Sequence, residues 1–326
     1  MTISLIERFR SVLPVSASTP VISLGEGSTP LLPAPRLSEQ LGVELWLKWE
    51  ASNPTGSYKD RGMTVAVSKA VEEGAEAVIC ASTGNTSASA AAYAARAGIP
   101  ALVLTPRGAV SGAKVAQARM LGAKVLEVRG DFDEALASAQ ELANRGTHVL
   151  VNSLNPYRRE GQKTAVYEIV EELGGAPDAF VVPYGGGGNT SAYAKALGEL
   201  GLSTPIVSVE AAERHTTLAS AIRIGDPVHA ETVKSVAAQV IAASDDEIVE
   251  AWRELAALEG LFCEPSSAAG LAAIRRGAVQ GDRLVVTITG HGLKDSETAS
   301  RIAPPLIEVE ADPDAIRAAA LAQARV

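Results

Sequence analysis

The chain has 326 residues, of which 47% are hydrophobic and 21% charged, and its formal net charge is −9. This length and composition describe a globular protein that can bury a substantial core and is long enough for two domains. The acidic balance argues against nucleic acid and anionic membranes as partners. No stretch approaches about 18 consecutive apolar residues, and the first ten residues lack an apolar signal core. We therefore expect a cytoplasmic protein with no membrane-spanning helix.

Short apolar runs alternate along the chain with alanine-rich helical stretches, and glycines often mark the helix ends. The apolar runs predict buried strands at residues 77–80, 101–104, 125–128, 149–151, 180–182, 206–209 and 284–288. Helices are predicted at residues 63–70, 87–97, 114–121, 132–144, 163–173, 191–200, 246–258 and 313–326. Alternation of this kind predicts an α/β protein with mainly parallel sheets, whose ligands bind where strands lead into helices.

The two cysteines, Cys80 and Cys263, have no metal-ligand spacing and cannot form a disulfide framework. Cys80 lies in an apolar run, where a buried structural thiol is expected. The sequence therefore predicts no metal site and a reducing compartment.

Lys59 follows a turn-forming Asn-Pro-Thr-Gly sequence and precedes a helical pattern. The positive end of a helix dipole and partial burial both favour the neutral amine, which can attack a carbonyl. Lysine is also the residue that forms Schiff bases with pyridoxal phosphate. Most lysines are solvated surface charges, so the case for Lys59 depends on the loops that follow.

Ser82, Thr83, Gly84, Asn85 and Thr86 connect the first of these predicted strands to a helix. Hydroxyls and free backbone N–H groups at a helix start form a cradle suited to a carboxylate. A helix cap would account for one polar residue here, but not for five consecutive polar or small ones.

Gly185, Gly186, Gly187, Gly188 and Asn189 occupy the corresponding position after the strand at residues 180–182. Consecutive glycines let backbone N–H groups approach a bulky anion, for which phosphate is the natural candidate. The run matches neither a Walker A loop nor the dinucleotide-binding Gly-x-Gly-x-x-Gly spacing. A flexible surface loop is the alternative.

A third polar junction, 289–295, reads Thr-Gly-His-Gly-Leu-Lys-Asp and follows the strand at residues 284–288. Thr289 could offer its hydroxyl to a ring nitrogen. His291 alone is weak evidence for catalysis, because a histidine between glycines is more often a packed turn residue.

These motifs, taken in order, cover residues 25–295. With them occur Gly-Glu-Gly-Ser-Thr-Pro-Leu at residues 25–31, Asn-Ser-Leu-Asn-Pro-Tyr-Arg-Arg-Glu-Gly-Gln-Lys-Thr at 152–164 and Glu-Pro-Ser-Ser-Ala-Ala at 264–269. The set resembles the threonine synthases, a family of fold-type-II, tryptophan synthase β-like pyridoxal phosphate enzymes. The resemblance implies a two-domain α/β fold with pyridoxal 5′-phosphate in the cleft between the domains. It implies a smaller domain at residues 51–153, a larger one formed by residues 1–50 and 154–326, and a homodimer.

The resemblance also implies roles for individual residues. Lys59 would bind the cofactor covalently and move protons, the glycine loop would bind the cofactor's phosphate, and Thr289 would face its ring nitrogen. The loop at residues 82–86 would hold the substrate's carboxylate, with Asn85 also near the cofactor's ring oxygen. A phosphate on the substrate would be bound by Asn152, Arg158 and Lys114, since arginine suits that task by its rigid bidentate fork.

The implied reaction is β,γ-replacement on O-phospho-L-homoserine, which yields L-threonine and phosphate. Two departures from the family pattern bear on the substrate. Gly186 and Gly187 replace an asparagine and an alanine, which makes the loop more like that of serine/threonine dehydratases, and Ala109 stands where a lysine is common.

Three alternatives therefore stay open. The first is a serine/threonine dehydratase, or another β-elimination or β-replacement enzyme of the same fold. The second is a non-enzymatic module that binds a phosphorylated ligand, with Lys59 as a surface charge. The third is a nicotinamide-dependent oxidoreductase, which the glycine spacing disfavours.

Overall fold

A computed structural model describes residues 3–108 and 112–323 of the chain. The chain divides into two compact units, Met1–Asp295 and Ser296–Val326. The departure at Ala109 lies outside the described residues. Within those residues, no helix combines the length and apolar character that a bilayer crossing requires.

The larger sheet of the first unit has six strands in the order β1-β2-β10-β7-β8-β9. Neighbouring strands are parallel except for β1 and β2, which are antiparallel. The strands are β1 (Leu31–Pro33), β2 (Glu44–Trp49), β7 (Ala179–Pro183), β8 (Ile206–Ala211), β9 (Gln239–Ala243) and β10 (Arg283–Ile288).

The smaller sheet has four parallel strands in the order β5-β4-β3-β6. They are β3 (Ala77–Ala81), β4 (Ala101–Pro106), β5 (Lys124–Val128) and β6 (His148–Leu150). All residues of β3 and β7 are buried, as expected for central strands covered on both faces. The predicted α/β class with mainly parallel sheets is confirmed.

The helices of the first unit lie between these strands. They are α1 (Leu5–Arg8), α2 (Pro35–Leu41), α3 (Lys59–Glu72), α4 (Asn85–Ala97), α5 (Gly112–Met120), α6 (Phe132–Asn144), α7 (Pro156–Leu173), α8 (Gly188–Leu200), α9 (Ala230–Val236), α10 (Asp245–Glu259) and α11 (Ala269–Arg275). Short 3₁₀ turns lie at Glu50–Ser52, Ser220–Ile222, Pro265–Ala268 and Gly292–Asp295. The second unit contributes α12 (Ser296–Ile302) and α13 (Pro313–Gln323).

Helices α3 and α7 approach closely through two glycines. A Cβ atom on Gly161 would lie 1.8 Å from the carbonyl oxygen of Arg61, and one on Gly62 would lie 2.5 Å from that of Arg158. Backbone contact therefore requires glycine at both positions. This crossing joins the helix that begins at Lys59 to the helix that carries Arg158.

Three strands and several helix starts differ from the sequence prediction. The strands β1, β2 and β9 are not predicted; β1 and β9 lie at the two edges of their sheet, where Pro33 of β1 is tolerated and the pattern is less apolar. The helices α3, α7 and α8 begin earlier than predicted. For α7 the reason is the Asn155 cap followed by Pro156 at the first helical position, a favourable start that apolar periodicity does not register.

The predicted domain boundaries at residues 50 and 154 stay a prediction. Cys80 and Cys263 are both fully buried free thiols, and burial raises the pKa of the Cys80 thiol to about 12. Cys80 packs in the apolar cluster around β3 and α4, in agreement with a structural role.

Candidate active site

Lys59 is the first residue of α3, directly after a tightly bonded turn. The Asp60 carboxylate supports this turn by accepting hydrogen bonds from the Thr55 backbone N–H (2.7 Å) and hydroxyl (2.7 Å). The half-buried Lys59 donates from Nζ to the Tyr58 hydroxyl at 2.6 Å. Among the described residues it forms no ion pair with a carboxylate. Its amine is therefore held at a helix N-terminus without a counter-ion, which favours the neutral, reactive form.

The loop at residues 82–86 joins the carboxyl end of β3 to α4 as predicted. Gly84 occupies the N-cap position of α4 without a side-chain cap, so the first N–H groups of this helix stay available to an anion. Ser82, Thr83 and Thr86 are half-buried, whereas Asn85 is buried. Ser82 accepts a hydrogen bond from Gly84 N–H at 3.1 Å, which orders the loop. The geometry suits a carboxylate.

The glycine loop lies between β7 and α8, and its last two residues form the first turn of that helix. Gly187 has φ +85° and caps α8 without a side chain, so the N–H groups at the start of this 13-residue helix lack an intramolecular cap. The wall around the loop is close: a Cβ on Gly187 would lie 2.7 Å from Val233 Cγ2, and one on Gly185 would lie 3.1 Å from the Ala221 carbonyl oxygen. This is an anion-binding cradle that side chains would fill.

Thr289 lies at the carboxyl end of β10 and is buried. Its hydroxyl is 2.9 Å from that of Ser267, which in turn accepts hydrogen bonds from the backbone N–H groups of Thr289 (3.1 Å) and Gly290 (3.0 Å). Ser267 thus orients Thr289. Sequence reasoning did not assign Ser267, although the quoted Glu-Pro-Ser-Ser motif contains it.

Arg158 lies in the first turn of α7 and is 1% exposed. Its Nη1 donates to the Val151 carbonyl at 2.7 Å, but Nε and Nη2 are buried without hydrogen-bond partners. Burial lowers the pKa of Arg158 from its usual value. No ion pair with a carboxylate involves this guanidinium in the described part of the chain, so its charge lacks a close partner.

Asn152 has a different environment from the one that the resemblance implies. Its side-chain amide accepts from Ala81 N–H at 2.9 Å and donates to the Ala81 carbonyl at 2.8 Å. These bonds continue the β3–β6 ladder beyond the last residue of β6. One amide N–H is left for a ligand.

Lys114 and Glu264 form a buried ion pair with 2.6 Å between Nζ and Oε1. The same carboxylate accepts a hydrogen bond from Asn85 Nδ2 at 2.7 Å. Lys294 lies nearby, with its Nζ donating to the Thr55 carbonyl and to Gln117 Oε1 at 2.6 Å each. Burial lowers the pKa of Lys294 to about 8. Sequence reasoning assigned neither Glu264 nor Lys294, although both occur in quoted motifs.

Comparison with known proteins explains this combination of loops. The model of the pyridoxal-phosphate dependent enzyme family matches residues 22–290. A threonine synthase of Halalkalibacterium halodurans is 44% identical over 320 residues, with 90% of each chain covered. A threonine synthase of Mycobacterium tuberculosis is 45% identical over 338 residues, with 95% of this chain and 94% of the relative covered. The chain belongs to the threonine synthase family of pyridoxal-phosphate-dependent enzymes.

A solved structure of a bacterial-type threonine deaminase, from the source abbreviated T.th., has the same architecture. It superimposes with a TM-score of 0.74 at 27% identity and covers 88% of this chain and 96% of that one. The fold-type-II architecture, the family and the pyridoxal phosphate cofactor expected from the sequence are thereby confirmed. The chain is a lyase of this threonine synthase family.

The residues present fit pyridoxal phosphate. The uncapped start of α8 suits its phosphate, the Thr289 hydroxyl suits its uncharged ring nitrogen, and Lys59 supplies an amine without a carboxylate partner among the described residues. A hydroxyl cannot hold a full pyridinium as an aspartate would, so stabilisation of a substrate carbanion depends more on local hydrogen bonds.

Proposed function

We propose that the chain converts O-phospho-L-homoserine and water to L-threonine and phosphate. The observation that carries this proposal is the buried guanidinium of Arg158, with two unpartnered N–H-bearing nitrogens and no carboxylate counter-ion among the described residues. A phosphate on the substrate would supply both the charge and the acceptors that Arg158 lacks. A substrate without phosphate, such as threonine or serine, would leave them unmet.

In this proposal each site residue has a defined task. Backbone N–H groups of α4, with the hydroxyls of Ser82, Thr83 and Thr86, hold the substrate's carboxylate. Arg158 binds the substrate's phosphate, with Asn152 offering its remaining N–H. Lys59 removes the Cα proton and transfers protons in the later steps.

The cofactor supplies an electron sink for the carbanion that forms at Cα. Lys59 can take up that proton because its helix-terminal setting favours the neutral amine. A Cβ proton then leaves, phosphate departs from Cγ, and water adds at Cβ. Arg158 binds the leaving phosphate and thereby favours its departure.

The substrate is tested by a panel in which phosphate release and amino-acid products are both measured. Equimolar threonine and phosphate from phosphohomoserine are expected, with Lys59→Ala lacking turnover and the borohydride-sensitive cofactor absorbance. Deamination of threonine or serine without threonine synthesis would instead identify a dehydratase. Retention of the absorbance and of activity in Lys59→Ala would remove Lys59 from the mechanism.

The proposal extends to a cytoplasmic homodimer, which the family resemblance supports. Size-exclusion chromatography with light scattering measures the assembly. A mass of about twice 33.6 kDa is expected, and a mass of one chain would contradict it.

A further inference from the structure

The Lys114–Glu264 ion pair lies inside the protein next to groups that flank the cofactor. The Lys114 side chain is 3% exposed and that of Glu264 is 1% exposed. Glu264 follows an isolated bridge between Cys263 and His291, and its backbone N–H donates to the Gly290 carbonyl at 2.9 Å. A Cβ on Gly290 would lie 2.0 Å from Glu264 Oε2. The carboxylate thus occupies space left by glycine directly after Thr289.

The Glu264 carboxylate determines how the Asn85 side chain is oriented. An ionised carboxylate accepts hydrogen bonds only, so the Asn85 atom that faces it at 2.7 Å must be the nitrogen. The other end of the amide, Oδ1, is then left as a buried acceptor without a partner. Removal of Glu264 would free this amide to rotate by half a turn and exchange donor for acceptor.

Each charge of the pair depends on the other. Apart from Glu264, Lys114 has only the Ser220 hydroxyl at 3.2 Å among the hydrogen bonds of its Nζ within the described residues. A lone buried charge is costly, whereas removal of both charges is often tolerated. The ammonium of Lys114 is therefore already neutralised, in contrast to the guanidinium of Arg158.

We propose that Glu264 is a positioning residue for Asn85, and that Lys114 is the counter-ion of Glu264 and not a ligand of the substrate's phosphate. The part concerning Lys114 rests on the proposed function. It assigns the phosphate to Arg158 and reassigns the lysine that the family resemblance associates with this anion. The part concerning Glu264 holds for any reaction that uses the cofactor and Asn85.

A double-mutant cycle with Glu264→Gln and Lys114→Met tests the positioning role, with the cofactor dissociation constant measured by absorbance. In Glu264→Gln, Lys114 and Asn85 compete for a single amide oxygen, so one buried hydrogen bond is lost and cofactor affinity falls about tenfold. In the double variant no ammonium competes with Asn85 for that oxygen, and affinity returns to within about threefold of wild type. A double variant no better than Glu264→Gln would overturn the positioning role.

Binding of inorganic phosphate to the holoenzyme tests the role of Lys114. Lys114→Met is expected to keep the phosphate dissociation constant, read from thermal shift, within about twofold, while Arg158→Ala weakens it by about tenfold or more. A tenfold loss in Lys114→Met would make Lys114 a phosphate ligand and overturn the proposal. Lys234→Met is the matched control, because Lys234 forms an exposed pair with Glu231 at 2.7 Å.

Two features keep the outcomes separable. The double variant buries no charge at this position, so recovery of folded holoenzyme where Glu264→Gln fails to accumulate also counts as the expected rescue. If wild type forms no threonine from phosphohomoserine, the proposed function fails. The cofactor affinities still decide the role of Glu264 in that case.

Discussion

Arg61 on α3 and Arg158 on α7 are both buried beside the same helix crossing, yet their surroundings are opposite. Arg61 donates to Glu50 through Nε at 2.7 Å and to Glu168 through Nη2 at 2.6 Å. Although burial alone lowers it, the pKa of Arg61 is raised by the charges of Glu168 and Glu50. Arg158 has no such partner among the described residues, and burial lowers its pKa.

The difference separates a structural charge from one available to a ligand. Arg61 is satisfied inside the protein, where Lys48 also pairs with Glu168 at 3.0 Å. Arg158 keeps two nitrogens unpartnered at the cost of some stability. Buried arginines are informative only when their counter-charges are counted.

The largest effect is expected from Arg61→Met. It leaves the buried carboxylates of Glu50 and Glu168 without their main cation, so the free energy of unfolding should fall by about 3–5 kcal/mol. Urea denaturation measures it, with Arg158→Met as the matched control. An equal or larger loss in Arg158→Met would mean that the two arginines do not differ as described.

Arg158→Ala should act mainly on the substrate. Loss of a charge-assisted contact to phosphate is worth about 1.5–3 kcal/mol, or roughly ten- to hundredfold in kcat/KM for phosphohomoserine. The cofactor absorbance should be unchanged, because Arg158 is assigned to the substrate. Unchanged kcat/KM in this variant would remove Arg158 from phosphate recognition.

The paired arginine also predicts an acid dependence. Although burial alone raises it, the pKa of Glu168 is lowered from 4.5 to about 2 by Arg61 and Lys48. A lowered carboxyl pKa stabilises the fold above pH 4.5, and this contribution is lost as the pH falls from 4.5 towards 2. The stability difference between wild type and Glu168→Gln should therefore shrink by roughly 2 kcal/mol between about pH 6 and about pH 3. A difference independent of pH would show that Glu168 titrates normally.

The smallest effect concerns the cofactor's own anion site. Gly187→Ala places a side chain at φ +85° and a Cβ 2.7 Å from Val233, which costs about 1–2 kcal/mol and weakens cofactor affinity about tenfold. Gly186→Ala is the control, because its Cβ would meet nothing closer than Ile224 at 3.7 Å among the described residues. Equal effects of the two substitutions, measured by absorbance titration, would argue against a strained Gly187.

The sequence by itself determined the fold class, the family and the main binding loops. Apolar periodicity placed the buried strands, since a strand covered on both faces must be apolar throughout, and polar residues at the strand ends marked the candidate site. Periodicity missed the edge strands β1 and β9 and the early start of α7, because edges are partly polar and the capping of α7 by Asn155 and Pro156 is local chemistry.

Only the tertiary structure decided which charges are partnered. Lys114, Arg61 and Arg158 are equivalent cations in the sequence, but their counter-charges come from residues as far apart as Glu264 and Lys114. The structure pairs Lys114 and Arg61, engages the Asn152 amide with the β3 backbone and leaves Arg158 open. Such pairing depends on contacts between distant segments and on space left by glycines such as Gly290, and no local pattern records either.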